Sequence, residues 1–256
     1  MRWKAVIFDM DGTVLNTLDD LLGAINYAME QGGHRHDFPP EEGRYFAGSG
    51  VANSMRRALA LEAGMDLADL EQIGKGADPD ASAPEEAEAM RLLRIFRPYY
   101  DAHCNDSTRP YEGIVELMER LRGAGVPMAI VSNKPDGTAC DLSREHFAGA
   151  VDFCIGEREG IPRKPAADMV DIALRELGVT DRADAVYVGD SEVDLQTAAN
   201  AGLDCIAAEW GFRGRDFLLS HGAQIIAASP QQVAQLVLGV NTDDRLINRQ
   251  EQSHDT

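Results

Sequence analysis

The stretch from Ala5 to Thr17, AVIFDMDGTVLNT, constrains the fold more than any other part of the chain. Its apolar opening, AVIF, has the length and β-branched content of a buried strand. The strand stops at Asp9 and Asp11, and Gly12 then permits a sharp turn. Two carboxylates so close to a buried strand repel each other, and a divalent cation is the usual compensation. Mg²⁺ suits best because it takes oxygen ligands and bridges carboxylates to phosphate, although the motif alone also fits an ordinary polar turn.

The charge balance limits the classes of partner. The chain has 256 residues, 44% of them hydrophobic, which is enough for a sizeable core and a smaller companion. Its formal net charge is −19, which argues against nucleic acid and against an anionic membrane as partners. An anionic substrate must therefore be captured by local cations and backbone amides, against the field of the whole protein.

The cysteines and the apolar runs indicate the cellular compartment in which the protein is expected. The four cysteines are scattered without a CxxC pair, as expected for reduced thiols of a cytoplasmic protein, and their spacing does not indicate a zinc site. The opening MRWKAVIF does not resemble a signal peptide, and no run approaches the length of a membrane span. We therefore expect a cytoplasmic protein, either a monomer or a homodimer.

The segment between residues 16 and 106 carries helical patterns and no convincing strand. Leu18, Leu22 and Ile25 recur at helical spacing, and the glycine pair at 32–33 ends that helix. The predicted helices span residues 18–31, 41–46, 51–62 and about 85–100. Residues 71–88 are polar and predict a flexible loop. The segment is therefore predicted to be a helical insertion after the first strand.

The rest of the chain alternates between strand and helix patterns. The predicted strands are 126–131, 151–155, 185–188, 204–208 and 224–227, and the predicted helices are 113–122, 139–147, 168–177, 195–201, 217–220 and 230–238. Such alternation is typical of a parallel sheet with helices on both faces, which is an α/β fold. The polar segment 241–256 is predicted to be a flexible tail.

Polar groups follow several strands of the predicted sheet. Asp9 and Asp11 end the first strand, Ser132 and Asn133 follow the strand VPMAIV, and the strand AVYV is followed by GDSEVD, which contains Asp190 and Asp194. Lys164 lies in the proline-flanked loop IPRKPA. Ligands of an open parallel sheet bind beyond the carboxyl ends of its strands, so these groups are expected to converge.

The convergent groups suit phosphoryl transfer. Asp9 is the candidate nucleophile, which would form an aspartyl-phosphate, and Asp11 is the candidate acid and base for the leaving oxygen and the attacking water. Ser132 and Lys164 can hold phosphoryl oxygens, helped by backbone amides of the turn at Gly12. Asp190 and Asp194 would complete a Mg²⁺ site with Asp9.

These motifs together resemble those of the haloacid dehalogenase-like phosphohydrolases. The matching residues are DMDGT at 9–13, SN at 132–133, Lys164 and GDSEVD at 189–194, in the order of that family. The resemblance implies a Mg²⁺-dependent phosphotransferase with a Rossmann-like core at 1–16 and 108–240 and an all-helical cap at 17–107.

The same resemblance implies roles for single residues. Asp9 would be the nucleophile and Asp11 the acid/base. The phosphate-binding set would be Ser132, Asn133, Lys164 and Gly12. The metal would be held by Asp9, by the backbone carbonyl of Asp11 and by Asp190, with Asp194 in support.

Within the family, the chain resembles the phosphoglycolate phosphatase branch. The supporting segments are FAGSG at 46–50, RRAL at 56–59, RPYEGI at 109–114, SNKP at 132–135 and EWGFRG at 209–214. The resemblance makes Gly48, Ser49, Gly50 and Arg56 candidates for a substrate loop of the cap, although glycines at a helix entrance are also common without a ligand. The expected substrate is 2-phosphoglycolate. Two departures, KPAA at 164–167 and Asn16 where the family usually has aspartate, leave the substrate open.

Several alternatives stay open. Another phosphate ester, pyrophosphate or phosphonoacetaldehyde could be the substrate, and a phosphomutase shares the same motifs. A phosphoacceptor signalling domain also uses aspartates, a lysine and Mg²⁺, but its acceptor lies on a later strand. A binding-only relic is disfavoured because no catalytic position is missing. We also expect the cap to open and close through hinges near 16–18 and 107–111.

Overall fold

The computed structural model of the chain describes residues 1–74 and 83–239. The predicted tail at 241–256 and part of the predicted loop at 71–88 lie outside these residues. The strands are β1 Ala5–Phe8, β2 Leu15–Asn16, β3 Arg109–Pro110, β4 Met128–Pro135, β5 Phe153–Glu157, β6 Ala185–Gly189, β7 Asp204–Ala208 and β8 Ile225–Ala227. The α-helices are α1 Leu18–Gly32, α2 Pro40–Gly43, α3 Val51–Glu62, α4 Pro84–His103, α5 Ile114–Gly123, α6 Asp136–Phe147, α7 Asp168–Glu176, α8 Glu192–Ala201, α9 Arg215–Ser220 and α10 Pro230–Leu238.

Six of the strands form a parallel sheet in the order β5-β4-β1-β6-β7-β8. β1 lies near its centre, with Val6 opposite Met128 of β4 and Val186 of β6. Both faces of this strand are buried, since Val6 joins one apolar cluster and Ile7 another. The first cluster draws on α5, α6 and α10, and the second on α7 and α8. The predicted α/β fold with helices on both faces is confirmed.

The inserted helices have an apolar core of their own. Helices α1, α3 and α4 supply most of its buried side chains, with Ile25 and Phe96 among them. Phe212, from the loop after β7, also packs into this core. The inserted helices thus have a packing core of their own, and the helical cap at 17–107 stays a prediction.

A short antiparallel pair closes the base of the insertion. β2 pairs with β3 through Leu15 opposite Pro110 and Asn16 opposite Arg109. The Asp20 carboxylate accepts hydrogen bonds from the backbone N–H groups of Ser107 and Thr108 at 2.8–3.0 Å. These contacts hold the two crossing segments side by side, at the places where hinges are predicted. The sequence did not predict either strand, because two residues leave no periodicity to detect.

The structure changes several predicted boundaries. β4 was predicted to end at Val131 but continues to Pro135, with an irregular register against β5, so Ser132 and Asn133 lie inside the strand. Helix α8 begins at Glu192 rather than Leu195, because Ser191 and Asp194 form a capping box. A 3₁₀ helix at Leu67–Gln72 overlaps the start of the predicted loop. Within the described ranges, none of the helices is long and apolar enough to cross a membrane.

Candidate active site

Asp9 and Lys164 form a buried ion pair at the carboxyl edge of the sheet. The Lys164 ammonium lies 2.6 Å from Asp9 Oδ1 and 2.8 Å from Asp194 Oδ1, and it donates to the Tyr187 hydroxyl at 3.0 Å. The lysine is 3% exposed, so its charge depends on these oxygens for stabilisation. Burial disfavours the charged amine, but Asp194 and Asp9 outweigh it and raise the pKa of Lys164 well above its ordinary value. The predicted convergence of Asp9 and Lys164 is present.

Asp190 is enclosed by the turns around it. Its Oδ1 accepts a hydrogen bond from the Thr13 hydroxyl at 3.0 Å, and its Oδ2 accepts one from the backbone N–H of Phe212 at 2.7 Å. A Cβ atom at Gly12 or Gly211 would overlap this carboxylate. Gly12 also has φ +89°, which favours glycine. The two glycines therefore allow three backbone segments to meet at Asp190.

Three carboxylates meet where the sequence predicts a metal. One oxygen from each of Asp9, Asp190 and Asp194 lies within 4.8 Å of the others, and all three residues are buried. Burial and repulsion from Asp194 raise the pKa of Asp9 well above its ordinary value, and they raise the pKa of Asp190 to about 7. Ionising these clustered carboxyl groups in the folded protein therefore costs free energy.

The donor set fits a hard divalent cation. When all three carboxylates are ionised, the single ammonium of Lys164 leaves negative charge uncompensated, and oxygen donors are those that Mg²⁺ prefers. Among the described residues, Asp9 Oδ2 accepts no hydrogen bond, so it is free for a ligand. Both Asp194 oxygens are already occupied, one by Lys164 and Tyr187 and the other by Ser191. This occupancy agrees with a supporting role for Asp194.

Asp11 lies in a different setting from Asp9. Its Oδ1 accepts a 2.7 Å hydrogen bond from the Thr17 hydroxyl and lies 3.0 Å from the Lys134 ammonium. Its side chain is 20% exposed, whereas that of Asp9 is 10% exposed. The two aspartates of this motif therefore contact different lysines and lie in different surroundings. Different environments can give two carboxyl groups of one site different chemical roles.

Ser132 and Asn133 approach the site from β4. The Ser132 hydroxyl accepts a hydrogen bond from the Lys134 N–H at 3.1 Å. The Asn133 side chain forms two hydrogen bonds with the Lys164 backbone. Its Oδ1 accepts one from the Lys164 N–H at 2.8 Å, and its Nδ2 donates one to the Lys164 carbonyl at 3.1 Å. The Asn133 side chain thus fixes the loop that carries Lys164, and its predicted direct role in phosphate binding stays a prediction.

The predicted substrate loop of the cap faces the sheet domain. The Gly48 carbonyl accepts a 3.3 Å hydrogen bond from Asn133, and Gly50 precedes helix α3 with φ +84°. Ser49 accepts a 2.8 Å hydrogen bond from Arg57, a buried arginine whose guanidinium also donates to the carbonyls of Tyr45, Ala47 and Ile73. The predicted Arg56 instead forms a two-pronged ion pair with Glu86 of α4, at 2.6 and 2.7 Å.

Sequence reasoning missed several residues of this site. Lys134 was noted only within SNKP, although a lysine two positions after Ser132 follows the same strand towards the same edge. Tyr187 carried a signal as well, since it is the polar member of the buried strand AVYV. Arg57 had no signal that distinguished it from its neighbour Arg56, because both lie on one helix and the difference is which of them is buried.

Comparison with known proteins gives a family match over most of the chain. The model of the haloacid dehalogenase-like hydrolases matches residues 6–208. The chain is 30% identical over 234 residues to a phosphoglycolate phosphatase from Pseudomonas putida, which covers 90% of this chain and 75% of that protein. It is 28% identical over 235 residues to the N-acetylmuramic acid 6-phosphate phosphatase of Pseudomonas aeruginosa, with 91% and 94% of the two chains covered.

A solved structure agrees with the same family. It comes from Lactobacillus delbrueckii subsp. bulgaricus and is provisionally assigned as a phosphoglycolate phosphatase. It shares 47% identity with this chain at a TM-score of 0.88, over 93% of this chain and 100% of its own. With these matches and a buried aspartate–lysine site at the carboxyl edge of a parallel sheet, the chain belongs to the haloacid dehalogenase-like hydrolase family, is similar to its phosphoglycolate phosphatases, and is a phosphatase.

Proposed function

We propose that this phosphatase hydrolyses 2-phosphoglycolate with Mg²⁺, through an aspartyl-phosphate on Asp9. The observation that carries the chemistry is the separation of the two aspartates. Lys164 lies 2.6 Å from Asp9 Oδ1, while Asp11 is held by Thr17 and Lys134. Lys164 favours the charged form of Asp9, the proposed nucleophile, against the effect of burial, and Asp11 is held apart for proton transfer.

The first step transfers the phosphoryl group to the enzyme. Asp9 Oδ2 attacks phosphorus, the bond from phosphorus to the ester oxygen breaks, and Asp11 gives its proton to that oxygen. The products are the alcohol, which is glycolate for the proposed substrate, and an acyl phosphate on Asp9. Asp11 is left as a carboxylate, ready to act as a base.

The second step releases phosphate. Asp11 takes a proton from water, the water oxygen attacks phosphorus, and the bond to Asp9 breaks. Inorganic phosphate leaves, Asp9 returns to its carboxylate, and Asp11 is protonated again for the next turnover. The acid and the base are therefore one residue used in two directions.

The phosphate is held by groups that surround Asp9. Lys164, the Ser132 hydroxyl and backbone amides of the turn at Gly12 are the proposed donors to its oxygens. Asp9, Asp190 and the Asp11 carbonyl are the proposed Mg²⁺ ligands, with Asp194 in support. When bound, the ion supplies positive charge that offsets the phosphate and the clustered carboxylates.

The choice of substrate is supported by the named relatives and not by the residues of the core site. The relatives from Pseudomonas putida and Lactobacillus support 2-phosphoglycolate, and the relative from Pseudomonas aeruginosa makes N-acetylmuramic acid 6-phosphate a second candidate. The GSG loop at 48–50 contacts Asn133 of the sheet domain, which supports the proposal that this loop contacts the leaving group. The phosphomutase alternative shares the same core residues and is tested in the same assay.

A panel assay tests the proposal. Phosphate release is measured from 2-phosphoglycolate, N-acetylmuramic acid 6-phosphate, sugar phosphates and pyrophosphate, with Mg²⁺ and with chelator, and β-glucose 1-phosphate is assayed for isomerisation. We expect Mg²⁺-dependent turnover with the highest kcat/KM on 2-phosphoglycolate. Preference for N-acetylmuramic acid 6-phosphate would reassign the substrate. Full activity in chelator would contradict the metal site.

A further inference from the structure

Asp11 is held at one oxygen and left open at the other. The Thr17 hydroxyl and the Lys134 ammonium both contact Oδ1, at 2.7 and 3.0 Å. Within residues 1–74 and 83–239, Oδ2 receives no hydrogen bond. A carboxylate anchored in this way cannot rotate freely, so Oδ2 is the oxygen that remains for proton transfer.

Lys134 is a buried lysine for which the phosphate chemistry has no assigned use. Its side chain is 4% exposed, at the end of β4, and its ammonium contacts Asp11 on one side and the Tyr100 hydroxyl on the other. The ammonium also lies 4.7 Å from the centre of the Tyr100 ring. Burying a lysine ammonium costs free energy unless polar partners compensate its charge. The contacts with Asp11 and Tyr100 provide that compensation.

Tyr100 belongs to the cap and not to the sheet domain. It lies on helix α4, is 2% exposed, and its ring stacks on Phe96 inside the apolar core of the cap. Its position is therefore fixed by the packing of the cap. The contacts form a chain from cap helix α4 through Tyr100 and Lys134 to Asp11.

The two site lysines have parallel surroundings. Lys164 contacts Asp9 and the Tyr187 hydroxyl, and Lys134 contacts Asp11 and the Tyr100 hydroxyl. The difference is that Tyr187 lies on strand β6, whereas Tyr100 lies on the cap. The lysine beside Asp9 is thus backed by a tyrosine of the sheet domain, whereas the lysine beside Asp11 is backed by a tyrosine of the cap.

We propose that Lys134 is a positioning residue that holds Asp11 in its proton-transferring orientation, and that Tyr100 makes this support depend on the closed cap. The inference rests on the proposed function, because it assigns Asp11 the proton transfer described above. Asp11 is then held most firmly when helix α4 of the cap lies against β4, so the leaving group is protonated fastest with the cap in this position.

A rival role for Lys134 would be direct binding of the substrate carboxylate. Three small substrates separate the two roles by leaving group and by charge. 2-Phosphoglycolate has a poor leaving group and a carboxylate, 2-hydroxyethyl phosphate has a poor leaving group without a carboxylate, and acetyl phosphate has neither. Acetate leaves without a proton, so the first step on acetyl phosphate does not need Asp11 as an acid.

The experiment measures single-turnover phosphorylation of the enzyme by each substrate with Mg²⁺. The variants are Lys134→Met and Tyr100→Phe. Tyr99→Phe is the matched control on the same helix, since the Tyr99 ring stacks on Tyr27. For Lys134→Met we expect a loss of about 100-fold on both poor leaving groups and less than about 3-fold on acetyl phosphate. Tyr100→Phe should follow the same pattern with about a 10-fold loss, and the double variant should lose less than the product of the two.

Each other result overturns the inference. A loss on 2-phosphoglycolate alone would assign Lys134 to carboxylate binding, and an equal loss on all three substrates would assign it to structure. Unchanged rates would remove Lys134 from the mechanism, and a Tyr99→Phe loss as large as that of Tyr100→Phe would remove the specific link to the cap. If the wild type with Mg²⁺ were not phosphorylated by any of the three, the proposed function would fail together with this inference.

Discussion

The backbone N–H of Phe212 donates a 2.7 Å hydrogen bond to Oδ2 of Asp190, while the Phe212 ring packs into the apolar core of the cap. One residue therefore touches a candidate metal ligand with its backbone and the cap with its side chain. The next residue, Arg213, donates to the Arg44 carbonyl of the cap at 2.7 Å and pairs with Glu192 at 3.2 Å. The loop after β7 joins the candidate metal site to the cap.

Arg213→Met should loosen the cap. The change removes the donor to the Arg44 carbonyl and leaves Glu192, whose side chain is 8% exposed, without its cation. We expect the free energy of unfolding to fall by about 3 kcal/mol and amide exchange at 44–50 to accelerate. Denaturant unfolding and hydrogen exchange measure the two effects.

Arg215→Met is the matched control for that change. Its ion pair with Glu209 is exposed, so its loss should cost less than about 1 kcal/mol and leave exchange in the cap unchanged. Equal effects from the two variants would show that Arg213 is an ordinary surface cation.

Asp9→Asn should abolish turnover without unfolding the protein. The amide keeps an oxygen for Lys164 but cannot attack phosphorus, so kcat should fall at least about 1,000-fold. Because burial raises the pKa of Asp9, the folded state is strained by its charge, and the melting temperature should stay level or rise. Asp19→Asn, at an exposed position in the first turn of α1, serves as the control. Substantial turnover by a clean preparation of Asp9→Asn would refute the proposal that Asp9 is the nucleophile.

The metal-free protein should become less stable as pH rises towards neutrality. Burial and Asp194 raise the pKa of Asp190 from 3.8 to about 7. Between these values the folded state binds more protons than the unfolded state, so the free energy of unfolding falls with rising pH. Thermal melts in chelator, from about pH 5 to about pH 8, measure this slope, and Asp190→Asn should flatten it. A slope of opposite sign would contradict the protonation assigned to Asp190.

Mg²⁺ should stabilise the protein more at about pH 8 than at about pH 6. The cation competes with the proton for the Asp9–Asp190–Asp194 cluster, so binding requires less proton release at the higher pH. The increase in melting temperature at a fixed Mg²⁺ concentration measures the effect. An equal increase at both pH values, or in Asp190→Asn, would place the ion elsewhere.

Gly211→Ala should damage the site through one methyl group. Its Cβ would overlap the Asp190 carboxylate, so either the loop or the carboxylate must move. We expect a loss of about 1–3 kcal/mol in stability and weaker stabilisation by Mg²⁺ in thermal melts. Gly137→Ala, on helix α6 with open space around it, should be neutral or stabilising by up to about 1 kcal/mol. If the two variants behaved alike, close packing at Asp190 would be refuted.

The convergence of Asp9, Lys164 and Asp190 could be predicted from the sequence because it follows from strand direction. Parallel strands bring their carboxyl ends to one edge, and each of these residues lies at or beyond such an end. The direction of a side chain does not follow from the same rule. The amide of Asn133 holds the Lys164 backbone, which the sequence did not predict, and its role in phosphate binding stays a prediction.

Contacts between the cap and the sheet domain could not be predicted from the sequence. Periodicity identifies the helices of the cap but does not fix how they dock, so the contact between Tyr100 and Lys134 had no signal. The burial of Arg57 had no signal for a related reason, and the role of Arg56 as a substrate-loop candidate stays a prediction. Two adjacent arginines differ in burial only through the rotation of helix α3 against its neighbours.

The central place of β1 has a consequence for the order of assembly during synthesis. Its neighbours arrive late, since Val6 pairs with Met128 on one side and Val186 on the other. The inserted helices find one another within a short stretch of chain and can pack while those strands are still being made. Asp9, the proposed nucleophile, is thus translated before the strands that flank β1 and is positioned only after they form. A nascent chain that ends before β6 is expected to carry a formed cap and no phosphatase activity.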